Sequence, residues 1–93
     1  MTRTIVTLSG IVHGVGFRYT ALRIAARYAV AGTVRNVRGG ERVEIDVEGE
    51  AGVVAAFVAD LLANPPPAAR IDRVERSSAE PRGLRSFSEA PTA

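Results

Sequence analysis

The chain has 93 residues, enough for one domain with a modest core and too few for two. Its 46% hydrophobic and 24% charged residues match an ordinary folded domain, which argues against intrinsic disorder. All twelve basic residues are arginine, but ten acidic ones bring the net charge to +2, too even a balance to argue for nucleic acid, and the lack of cysteine excludes disulfides, thiolate metal sites and cysteine nucleophiles.

The start, Met1-Thr2-Arg3-Thr4, passes at once into a strand-like run without the apolar region of a signal peptide. No apolar stretch approaches the length of a membrane span, so the cytoplasm is the expected compartment and a membrane is not an expected partner. Thr4 to Val12, "TIVTLSGIV", is rich in β-branched residues and reads as the first strand. It runs into "HGVGFRYT", where two glycines lead directly to a helix. From Tyr19 to Val30, Ala21, Ile24, Ala25 and Tyr28 fall at i, i+3, i+4 and i+7 and form one apolar stripe, with Arg23 and Arg27 on another face. Gly32 is expected to end this helix, and Thr33 to Val37 to begin the second strand.

In "VEIDVE", Val43, Ile45 and Val47 alternate with Glu44, Asp46 and Glu48, the pattern of a strand with one covered face and one wet, acidic face. "RGGE" lies before it, and its Gly39-Gly40 pair suits the positive φ angles of a tight hairpin turn, so strands two and three are expected to be antiparallel neighbours. After Gly49 a second helix runs to about Ala63, with Val54, Phe57, Val58 and Leu61 on one stripe and Glu50 in the first turn. Asn64 and Pro65-Pro66-Pro67 stop it, because proline lacks an amide hydrogen and biases its predecessor away from helix. A fourth strand covers Arg70 to Ser77. Its apolar Ile71 and Val74 are three apart, which breaks the period of two and implies a bulge. A short last strand around Phe87, Ser86 to Ala90, completes the chain. The order β-α-β-β-α-β is that of a ferredoxin-like α+β sandwich, an antiparallel sheet with two helices on one face, as a single domain over residues 1–93.

Several chemistries are excluded by residue type. A dinucleotide loop would need glycine at position 19, where Tyr19 stands, and a Walker loop needs a lysine the chain lacks. His13 is the only histidine, so a metal site would have to be built mainly from carboxylates, and those that cluster alternate along one strand; no metal is expected. A Ser-His-Asp triad would depend on His13, and no serine sits in a nucleophile-type turn. RNA-binding sheets stack bases on paired aromatics, whereas only five aromatics occur and none lies in Val43 to Glu48.

Two places remain. Arg18 opens a helix whose unpaired N–H groups already carry partial positive charge, the wrong sign for that position. Glycines at 14 and 16 allow consecutive N–H groups to face one point, and a bound anion there would accept two parallel guanidinium hydrogen bonds from Arg18. The same spacing also fits a plain tight turn with Arg18 in water. Asn36 shares parity with Val34 and so faces an apolar side, where its amide needs a partner; taken alone, it reads first as a hairpin-flanking asparagine bonded to its own backbone.

Together, "SGIVHGVGFRYT" and "GTVRNVRGGERVEIDVEG" resemble the two signatures of the acylphosphatase family, in order and at the expected separation, over about residues 3 to 78. The resemblance implies a ferredoxin-like fold and hydrolysis of acyl phosphates, small-molecule substrates, without a metal or other cofactor. It assigns phosphate binding to Arg18 and to the amides of Gly14, Val15, Gly16, Phe17 and Arg18, and orientation of the attacking water to Asn36. The expected acting unit is a monomer. His13 stands where glutamine is usual, Thr33 where an aromatic is common, and one extra residue lies between Asn36 and Val43. "PPPAARIDRVE" is also similar to the acylphosphatase-like domain of hydrogenase-maturation carbamoyltransferases, which implies an alternative: a non-catalytic module that binds phosphate or handles carbamoyl phosphate.

Overall fold

Strands with one apolar face need a layer to cover it, and the two apolar helix stripes supply that layer. In the computed structural model, which describes residues Met1–Ala93, the order is β1 (Thr2–Ile11), α1 (Phe17–Ala25), β2 (Val30–Val37), β3 (Arg42–Gly49), α2 (Ala51–Ala63), β4 (Arg70–Ala79) and β5 (Phe87–Glu89). The strands make one sheet in the order β4-β1-β3-β2-β5. Val6, Leu8, Val34, Val43, Ile45 and Val47 meet Phe17, Ala21 and Ile24 of α1 and Val54, Phe57, Val58 and Leu61 of α2 in one buried cluster. This is the expected ferredoxin-like arrangement, with both helices on one face. No helix is long and apolar enough to cross a membrane.

The hairpin and the bulge lie where the sequence suggests. β2 and β3 pair antiparallel around a turn in which Gly39 and Gly40 have φ of 86° and 126°. Ser9 pairs with Arg73 and Gly10 with Ile71, so Asp72 is the extra residue of the bulge in β4.

Other expectations need correction. The sheet is mixed, because β5 runs parallel to β2 while the other pairs are antiparallel. α1 ends at Ala25, and the next turn tightens through bonds from the Arg27 and Tyr28 amides to the carbonyls of Ile24 and Ala25. Tyr28 continues the helical stripe only in sequence; its ring meets Phe57 edge-on, 6.1 Å between centroids. Gly32 lies inside β2 and stops no helix. Its φ is 139°, and a Cβ there would sit 1.8 Å from the Asp46 carbonyl oxygen, so the close approach of β3 demands glycine. Glu50 is the N-cap residue, its carbonyl accepting the Val53 and Val54 amides, and no acidic residue occupies the first turn of α2.

The acidic side of β3 also differs from expectation, because it is not wet. Asp46 and Glu48 are only 6% and 3% exposed. β4 and β5 lie at opposite edges, and the chain between them returns over the face away from the helices. There the Glu48 carboxylate accepts the amides of Arg82 (2.7 Å), Gly83 (3.2 Å) and Leu84 (2.9 Å). Asp46 takes a two-pronged bond from Arg3, 2.8 Å on each oxygen, and lies 3.4 Å from Arg82. Buried carboxylates persist where such charge-assisted bonds offset their lost hydration.

These contacts also predict an acid response. The Arg3 guanidinium lowers the Asp46 pKa, and the Leu84 amide, with those of Arg82 and Gly83, lowers that of Glu48. Groups whose folded pKa is depressed contribute stability that is fully present above the ordinary carboxylate range and lost as pH falls through the folded values. Denaturant midpoints should therefore be flat above about pH 5 and decline below about pH 4. A Glu48→Gln variant should be less stable at neutral pH and show a shallower acid decline. Midpoints that stay constant to about pH 2 in the unsubstituted chain would contradict this.

Candidate active site

β1 delivers the chain to the site and α1 carries it away. Gly14 and Gly16 both have positive φ, 67° and 80°, with no atom within 4 Å of where a Cβ would be, so backbone conformation rather than crowding requires glycine. Gly16 is the N-cap of α1 and brings no side-chain cap. Thr20 donates the first main-chain bond of the helix, to the Gly16 carbonyl at 3.0 Å, so the amides ahead of it in that turn have no intrahelical acceptor. The amides of Val12 and His13 are taken by the Glu41 carboxylate. The unclaimed N–H groups thus begin at Gly14.

These groups border a cleft of about 170 Å³ whose lining includes Gly14, Gly16, Arg18, Tyr19, Asn36 and Glu89. Arg18 and Asn36 come from α1 and β2, and the packing of that helix on the sheet brings them to the same cleft. Phe17 is buried and anchors the helix start in the core, while Val15 packs against that core from the loop and does not line the cleft. Their amides, not their side chains, are what they can offer a ligand. The Asn36 carbonyl accepts the Ala93 amide at 3.0 Å, which fixes the β2 backbone beside the cleft.

Glu89 and Glu41 carry no signal in the sequence that marks them as part of a site. Phe87 packs edge-on against Phe57, 5.5 Å between centroids, and holds β5 against β2. Glu89 follows at the same parity and comes within 3.8 Å of the Arg18 guanidinium. At that separation, with the Arg18 side chain 36% and the Glu89 side chain 49% exposed, the pair is weak, and a doubly charged anion could displace it. His13 bonds through Nε2 to the Arg42 carbonyl; a carbonyl only accepts, so the proton is on Nε2 and the ring serves as a strut. No three histidine or acidic side chains are grouped as a metal site would require.

The acylphosphatase family model matches residues 4–88. This chain belongs to the acylphosphatase family. It is 46% identical over 82 residues to an acylphosphatase of Nocardioides sp., covering 88% of this chain and 81% of the other. The acylphosphatase crystal structure from Bacillus subtilis superposes with a TM-score of 0.88 at 31% identity, covering 97% of this chain and 99% of that one. Full-length HypF, crystallised in a phosphate- and nucleotide-bound form, contains a region that matches 98% of this acylphosphatase-family chain with a TM-score of 0.89 and 32% identity, but that region is 12% of HypF.

Proposed function

We propose that this member of the acylphosphatase family hydrolyses acyl phosphates to a carboxylate and inorganic phosphate, without a metal. The family relationship carries the coarse statement, a hydrolase of acyl phosphates. One observation supports the finer one: unclaimed amides from Gly14 onward, the Arg18 guanidinium and Asn36 border the same cleft.

The phosphoryl group is held by the amides of Gly14, Val15, Gly16, Phe17 and Arg18 and by the guanidinium of Arg18, which neutralise charge on its oxygens. Asn36 orients a water in line with the bond to the acyl oxygen. The water oxygen bonds to phosphorus, the phosphorus–acyl oxygen bond breaks, and that electron pair leaves with the carboxylate. A carboxylic acid has a pKa of about 4, so its carboxylate leaves without a general acid. The water's proton passes to a phosphate oxygen, and no dedicated base is required. The substrate is a free small molecule, and the acting unit is a cytoplasmic monomer whose one domain spans residues 1–93.

The likeness to HypF favours a second reading, a module that binds phosphate or carbamoyl phosphate without turnover. One assay separates the two. The purified chain should release phosphate from acetyl and benzoyl phosphate at the same rate with and without a chelator. Phosphate binding without turnover would support the second reading, and loss of activity on chelation would refute the metal-free mechanism.

A further inference from the structure

Glu41 stands in the turn between β2 and β3, yet its side chain reaches the loop that opens α1. Its Oε2 accepts the Val12 amide and, at 3.1 Å, the His13 amide. Its main-chain carbonyl accepts the Gly10 amide at 3.2 Å, and the His13 ring donates to the neighbouring Arg42 carbonyl. The hairpin therefore grips the chain from Gly10, near the end of β1, to His13 in the loop that follows.

The reason for a carboxylate lies in the strand ladder. Pairing of β1 with β3 ends at Ser9 and Arg42, where β3 bends into the turn. Beyond that point β1 has no strand carbonyl on this side. Val12 is 1% exposed, so its N–H would otherwise lack a partner, at the cost of an unsatisfied buried donor. The carboxylate continues the ladder by accepting the next two N–H donors, those of Val12 and His13. The His13 and Val12 amides in turn hold Glu41 below the usual carboxylate range, so it remains charged at neutral pH.

The next residue is Gly14, the first whose amide is unclaimed. We infer that Glu41 is a positioning residue for the anion loop, fixing Val12 and His13 so that the amides from Gly14 onward converge on a phosphoryl group. This role rests on the phosphate-binding reading above. Glu41 touches no reacting atom, and it sets the direction in which the loop leaves β1. Its loss lets the cradle spread, so phosphate affinity and KM carry the effect more than kcat.

The test compares the unsubstituted chain with Glu41→Ala and Glu41→Gln by acetyl phosphate kinetics, inhibition by inorganic phosphate and amide hydrogen exchange. Glu41→Ala should raise KM and the phosphate inhibition constant roughly tenfold, with a smaller change in kcat, and should speed exchange at Val12 and His13 but not at Ile45. Glu41→Gln keeps the length and one accepting oxygen, and it should rescue part of both effects while still raising the inhibition constant about twofold to threefold. If Glu41→Ala does not fold, Glu41→Gln alone decides the matter. Unsubstituted values of inhibition and exchange in Glu41→Gln would overturn the role. Failure of the unsubstituted chain to bind phosphate would overturn the phosphate reading instead, and exchange at Val12 and His13 would still report whether the latch exists.

Discussion

Replacing Arg18 by alanine is expected to abolish turnover of acetyl phosphate and inhibition by inorganic phosphate together. The guanidinium is the one formal cation lining the cleft, and its five fixed donors match two phosphate oxygens at once. Removing a group that meets developing charge on a transferred phosphoryl group lowers the rate by about a thousandfold or more. Stability provides the control. A cation at a helix start opposes the helix dipole, and its ion pair with Glu89 is loose and exposed, so Arg18→Ala should unfold at the same denaturant concentration as the unsubstituted chain or slightly higher. Arg18→Lys should restore charge but not the two-pronged bond, and recover only part of the activity. Phosphate inhibition that survives in Arg18→Ala would remove this residue from the site.

Asn36→Ala is expected to separate binding from chemistry. If the amide only aims a water, its loss leaves the phosphate cradle intact and lowers kcat by about a hundredfold to a thousandfold, while the phosphate inhibition constant stays near the unsubstituted value. Asn36→Asp sharpens the contrast. It retains the shape but places a carboxylate in a cleft meant for a dianion, and it should lose both turnover and phosphate affinity. Equal kcat in Asn36→Ala and the unsubstituted chain would refute the assignment, and a rise in the inhibition constant as large as the fall in kcat would make Asn36 a binding group.

The parts of this molecule that can be read from sequence are those whose cause is local. The stripe Val54, Phe57, Val58 and Leu61 names the buried face of α2, and the Gly39-Gly40 turn names a hairpin, because periodicity and positive φ are properties of short segments. Gly14, Gly16 and Arg18 are legible for the same reason, since a cation after two glycines conflicts with the helix start beside it. What stays hidden depends on distant residues. Asp46 and Glu48 alternate with valines like solvent-facing positions, but Arg3 lies 43 residues from Asp46, and the amides of Arg82, Gly83 and Leu84 lie 34 to 36 residues from Glu48. Gly32 reads as a helix stop until β3 is seen pressed against it. Glu41 and Glu89 give no local signal, because neither the end of the β1 ladder nor the parallel pairing of β5 can be inferred from neighbouring residues.

The proposed convergence of the Arg18 guanidinium and the amides of residues 14–18 on a phosphate dianion is tested most directly by crystals grown with inorganic phosphate. The expected result is a phosphate in the cleft, bonded to Arg18 and to amides from Gly14 onward, with the Arg18 guanidinium turned from Glu89 to the ion. An empty cleft at saturating phosphate, with Arg18 still beside Glu89, would contradict it.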